Sequence, residues 1–103
     1  MSSELGDLTD LAEGQMRTFE DIGDYGVVVV RAQGRLYALD DNCSHAETPL
    51  STGRLRGTTL TCPLHGAQFD VRDGSHLGPP AFCGVPCHEL DTTDESMVRI
   101  RLP

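Results

Sequence analysis

Two short stretches limit what this chain can fold into: Cys43-Ser44-His45, and, after sixteen intervening residues, Cys62-Pro63-Leu64-His65-Gly66. Each places one thiol and one imidazole within a turn's reach of each other. Two sulfur and two nitrogen donors are enough to close a metal site with no water in it. A fold that uses them must bring two loops together at one point.

Two kinds of metal suit four such donors. One is structural zinc, for which two cysteines and two histidines are a common tetrahedral set. Zinc-finger spacing puts both cysteines in one knuckle and both histidines in another, whereas here each loop carries one of each. The other is a [2Fe–2S] cluster in which one iron takes both thiolates and the second takes both imidazoles. Neutral imidazoles leave that iron less negative and raise the potential above that of an all-cysteine cluster.

The linked spacings, with Phe69-Asp70 after the second loop, Tyr37-Ala38-Leu39-Asp40-Asp41 before the first, and Gly74 and Gly78-Pro79-Pro80-Ala81 downstream, resemble the Rieske iron–sulfur family from about residue 34 to residue 81. The resemblance implies one Rieske-type [2Fe–2S] cluster with Cys43, His45, Cys62 and His65 as its ligands. It also implies an all-β fold of small antiparallel sheets with a loop-built cluster-binding subdomain at about 41–81. Gly78-Pro79-Pro80 would form a third loop over the cluster. High-potential members carry an extra cysteine in each loop, joined as a disulfide, and a Ser and a Tyr whose hydroxyls reach sulfur. This chain has Thr48 and Leu64, and Ala67 and Phe69, at those places. Fewer donors to sulfur leave the reduced, more negative cluster less stabilised. The expected potential lies toward the low end of the Rieske range of about −150 to +300 mV.

With 103 residues the chain is expected to be a single domain whose core alone is marginal. Cluster binding would then supply folding free energy. No charged-then-apolar leader precedes the first strand, and the longest apolar run, Val27 to Val30, is strand length. A cytoplasmic protein with no membrane anchor is therefore expected. A formal charge of −8, with no lysine, argues against nucleic-acid and anionic-membrane partners. Seven carboxylates fall between Glu4 and Asp24. They read either as a docking face for basic partners or as a solvated face that keeps a small protein soluble.

Strand signals follow in order. Residues 1–6 read as a frayed lead, Leu8 and Leu11 as part of a turn, and Gln15 to Glu20 as an edge strand of period two. Val27 to Val30 reads as a strand buried on both faces, turning at Gln33-Gly34 into Arg35 to Leu39. The stretch from Leu50 to Gly57 reads as connection, and Thr58 to Thr61 as a short strand. Gly66 reads as a point of close backbone approach and Asp73-Gly74 as a turn. A final hairpin sets Val98, Ile100 and Leu102 on one face. Cys83 and Cys87, outside the family pattern, read as buried thiols, with a local disulfide or a second metal site with His88 as alternatives. His76 and His88 read as surface or loop residues.

By resemblance the protein is an electron carrier and not an enzyme: the ferredoxin component of a bacterial ring-hydroxylating dioxygenase, a monomer between a flavoprotein reductase and a terminal oxygenase. The small Rieske-like subunit of a nitrite reductase is the alternative within redox chemistry. A zinc-stabilised interaction module is the alternative outside it. The sequence names neither the aromatic substrate nor the partners.

Overall fold

The computed structural model describes residues 2–43, 48–63, 66–78 and 83–102. Among them the chain forms β1 Ser2–Gly6, β2 Met16–Phe19, β3 Val27–Ala32, β4 Arg35–Asp40, a 3-10 turn Leu50–Thr52, β5 Arg54–Arg56, β6 Thr59–Thr61, β7 Gln68–Asp70, β8 Cys87–Asp91 and β9 Val98–Arg101. Six strands make one antiparallel sheet in the order β1-β9-β8-β4-β3-β2, and β5-β6-β7 make a second. None of the described helical segments is long and apolar enough to cross a membrane.

The architecture turns on β3. Val27, Val28, Val29 and Val30 are all fully buried, as a β-branched run between glycines predicts. Side chains alternate across a strand, so Val28, Val30 and Ala32 enter one core while Val27 and Val29 enter another. The first core contains Leu50, Leu60, Phe69, Cys43 and Cys62, and the second Leu8, Leu11, Val98 and Ile100. One strand thus joins the cysteine-bearing loops to the rest of the molecule.

The β3–β4 hairpin turns at Gln33 and Gly34, with φ of 53° and 77°. Two successive left-handed residues match the twist of the flanking strands. Both turn amides donate to the Glu13 carboxylate, at 2.8 and 2.9 Å, which offsets the strain at Gln33. Beside it the Arg31 guanidinium donates to the carbonyls of Leu8 and Leu11 and to both Glu95 carboxylate oxygens at 3.0 Å. Leu8 and Leu11, read as turn residues, also fill the second core.

Three sequence expectations are corrected. Residues 2–6 are not a frayed lead: β1 pairs with β9, Ser3 opposite Ile100, and Leu5 is buried. The pairing partner lies over ninety residues away, so no local signal announces it. Residues 54–56 are a strand where connection was expected, because Leu55 turns inward between exposed Arg54 and Arg56. Three residues are too few for a period to show. His88 is neither surface nor loop; it sits on β8 opposite Ala38, its side chain only 8% exposed.

Strand β8 divides its pairing. Cys87 and His88 pair with Leu39 and Ala38 of β4, while Glu89, Leu90 and Asp91 pair with β9. The final hairpin forms as read, with Val98 and Ile100 buried and Leu102 packed against the same core.

Candidate metal centre

The first loop starts where β4 ends. Asp41 donates its N–H to the Gly26 carbonyl at 3.0 Å. Its carboxylate accepts from the Ser51 amide and hydroxyl, both at 2.7 Å. Residues 41 and 51 are thereby fastened to each other. Inside this clasp the Cys43 N–H donates to the Thr48 carbonyl at 2.9 Å. The second loop repeats the device: Cys62 follows β6, and its N–H donates to the Ala67 carbonyl at 2.7 Å, just before β7 begins. Each cysteine is thus the first residue of a loop closed by an amide-to-carbonyl bond to the fifth residue on.

Both cysteines are 1% exposed and share one core with Leu60, Ala67, Phe69 and Val85. The small sheet builds that core, since Leu55, Leu60 and Phe69 stand opposite one another across β5, β6 and β7. His45 and His65 lie outside the described residues, as do Leu64 and residues 79–82. Gly66 adopts a left-handed φ of 72°.

The segment expected to form a third loop is described only up to residue 78 and from residue 83. Leu77 N–H donates to the Gln68 carbonyl, Gly74 N–H to Asp70 and Val85 N–H to Gly74, at 2.7 to 2.9 Å. The contact at Gly74 excludes any side chain. A Cβ there would stand 2.0 Å from the Val85 carbonyl oxygen.

The described donors fit an iron–sulfur group. Soft iron–sulfur chemistry calls for thiolates, and the two cysteines meet in one apolar core at the roots of two anchored loops. Ala67 and Phe69, packed in that core, bring no hydroxyl to the sulfurs. The arrangement can hold a redox group away from water on the protein side.

Cys83 and Cys87 are exposed, which corrects the reading of them as buried thiols. The Cys87 thiol lies over the Arg72 carbonyl at 3.9 Å. Local desolvation, and then the Asp73 charge, raises the Cys87 thiol pKa. His76 is exposed, as expected. His88 Nε2 instead meets Asp40 Oδ1 at 2.6 Å, at the end of the strand leading to Cys43. Sequence reasoning missed this pair because its partners are 48 residues apart.

Comparison with known proteins agrees with this geometry. Residues 3–89 match the Rieske [2Fe-2S] domain model. The chain is 42% identical over 72 residues to the ferredoxin component of biphenyl 2,3-dioxygenase from Rhodococcus jostii strain RHA1, a match covering 70% of this chain and 66% of that protein. Its structure is similar to the ferredoxin of carbazole 1,9a-dioxygenase from Nocardioides aromaticivorans IC177, with TM-score 0.88, 28% identity, and coverage of 100% and 99% of the two chains. It also resembles a chain in the complex of reduced oxygenase and oxidized ferredoxin of carbazole 1,9a-dioxygenase, with TM-score 0.86, 27% identity, and coverage of 96% and 100%. The chain belongs to the Rieske [2Fe-2S] domain family, among its small ferredoxins, and carries one Rieske-type cluster.

Proposed function

We propose that the protein carries single electrons from a flavoprotein reductase to a terminal non-haem iron ring-hydroxylating oxygenase, as a carrier that makes and breaks no substrate bond. In this reading residues 1–103 form one domain with the cluster-binding subdomain at about 41–81. Cys43 and Cys62 hold one iron by their thiolates, and His45 and His65 hold the other by their imidazoles. When bound, such a group accepts and returns one electron. The chain's own residues do the rest. Phe69 and Leu60 keep water from the cysteine side, the Asp41–Ser51 clasp fixes the first loop, and Ala67 and Phe69 withhold hydroxyl donors from sulfur, keeping the potential low.

The supporting observation is that this chain is similar throughout its length to a ferredoxin seen together with an oxygenase in the carbazole system. A low potential also suits delivery of electrons to an oxygenase better than their withdrawal from a quinol.

Electron paramagnetic resonance before and after dithionite, with iron and acid-labile sulfide assayed on the same sample, tests the ligand set. A silent oxidised form that gives a Rieske-type signal on reduction is expected; zinc without iron would sink the proposal. Turnover reconstituted with a purified flavoprotein reductase and ring-hydroxylating oxygenase tests the partners. Electron delivery to a nitrite reductase and not to the oxygenase would favour the alternative.

A further inference from the structure

We propose that the outward face of the β5–β6–β7 sheet receives a carboxylate-bearing segment of the electron-transfer partner, with Arg54 and Arg56 as the cationic contacts. This rests on the carrier reading above and names the chemistry of its docking surface.

Strand alternation defines the face. Leu55, Leu60 and Phe69 turn into the core, so Arg54 and Arg56 stand outward across from Thr61 and Thr59, with Gln68 across from Thr61 in turn. Over this face runs an open groove of about 660 Å³ that reaches Cys62, Pro63 and Gly66 of the second loop. Among the described residues no carboxylate lines it. Asp70 shares the face, opposite Thr59, but is taken by Arg72 at 2.7 Å. Arg17, Arg31, Arg72 and Arg101 each have an acidic partner, whereas Arg54 and Arg56, like the separate Arg35 and Arg99, have none among the described residues. Two apolar groups lie near the Cys62 end: Pro63, exposed within the groove, and Leu77, 46% exposed and tied to Gln68 by its amide. Arginine is enriched at interfaces and their hot spots, and a planar guanidinium matches a carboxylate with two parallel hydrogen bonds.

The charge distribution argues for an acidic occupant. Between residues 43 and 83 the three arginines Arg54, Arg56 and Arg72 balance the three carboxylates Glu47, Asp70 and Asp73. The whole formal charge of −8 therefore belongs to the rest of the chain. An acidic partner segment is repelled by most of this protein and admitted beside the second loop. Like-charge exclusion elsewhere selects orientation, while screening over about 8 Å at physiological salt lets the contact pairs dominate.

The test uses the full-length, cluster-loaded protein and a fluorescent ten-residue oligo-glutamate peptide, with binding read by anisotropy. Saturable binding is expected, weakened about tenfold by R54Q/R56Q and largely kept by R54K/R56K. R99Q/R101Q makes the same change in net charge on β9 and should leave it unaltered. A second readout is oxidation of the dithionite-reduced protein, one electron passing to ferricyanide to give ferrocyanide or to hexaamminecobalt(III) to give cobalt(II). R54Q/R56Q should slow the anionic oxidant and speed the cationic one, and R99Q/R101Q should do neither. An unchanged cluster absorption spectrum certifies that each variant is folded. Peptide binding indifferent to R54Q/R56Q, or weakened equally by R99Q/R101Q, overturns the proposal. A protein that dithionite cannot reduce refutes the carrier reading instead, while the peptide arm still reports on Arg54 and Arg56.

Discussion

At the scale of single residues, the cysteines divide by where the fold puts their sulfur. Cys43 and Cys62 are buried at the roots of two closed loops, and Cys83 and Cys87 are at the surface. Serine at Cys43 or Cys62 should abolish cluster assembly and, with it, most of the folded population, because binding free energy is folding free energy here. The double change C83S/C87S should leave the cluster absorption and resonance spectra intact; their loss would give the surface pair a role this reading denies it. Arg31 is the other decisive residue. Its side chain is 11% exposed and serves the carbonyls of Leu8, Leu11 and Gly34 and the Glu95 carboxylate at once. Replacing it with Met strands those acceptors and should cost roughly 2–4 kcal/mol. For a domain of this size the thermal midpoint would fall by roughly 10 °C or more.

At the scale of elements, the loops are held by devices that differ in how visible they are in sequence. The Gln33-Gly34 turn and the Val27–Val30 strand are local and were legible. The contact between Gly74 and Val85 is not, since it joins residues that lie eleven positions apart. Gly74→Ala forces a Cβ against a carbonyl oxygen at a φ of 78°. Strain and overpacking together should destabilise the protein by roughly 2–5 kcal/mol. Chemical denaturation followed by circular dichroism would check this, and a neutral result would show that residues 83–85 give way without cost. Strand β5 was missed for a different reason, being three residues long between two glycines, with only Leu55 facing inward. His88 was misplaced because its ring is held by Asp40 on a neighbouring strand.

At the scale of the whole molecule, charge and pH act together. Hydrogen bonding to Arg31 lowers the Glu95 pKa, and hydrogen bonding to Arg72 lowers that of Asp70. Asp7, Asp73, Asp91 and Asp94 are lowered too, by hydrogen bonds from neighbouring Ser or Thr residues. A carboxylate whose pKa falls on folding adds stability above its unfolded value and loses that stability as pH drops through the folded one. Stability should therefore hold down to about the ordinary carboxylate values of 4.5 and 3.8, then decline below them. Thermal midpoints measured from pH 7 to pH 3 should show this, with a shallower decline for E95Q. The sequence by itself determined the Rieske resemblance, the all-β class, the doubly buried β3 and the acidic total, because each is written in adjacent residues or in a period of two. Only the tertiary structure decided that residues 2–6 become a strand, that His88 is nearly buried, that Cys83 and Cys87 are at the surface, and that Arg54 and Arg56 have no acidic partner among the described residues. Those outcomes depend on which distant segments pack together, and contacts between distant segments leave no local pattern to read.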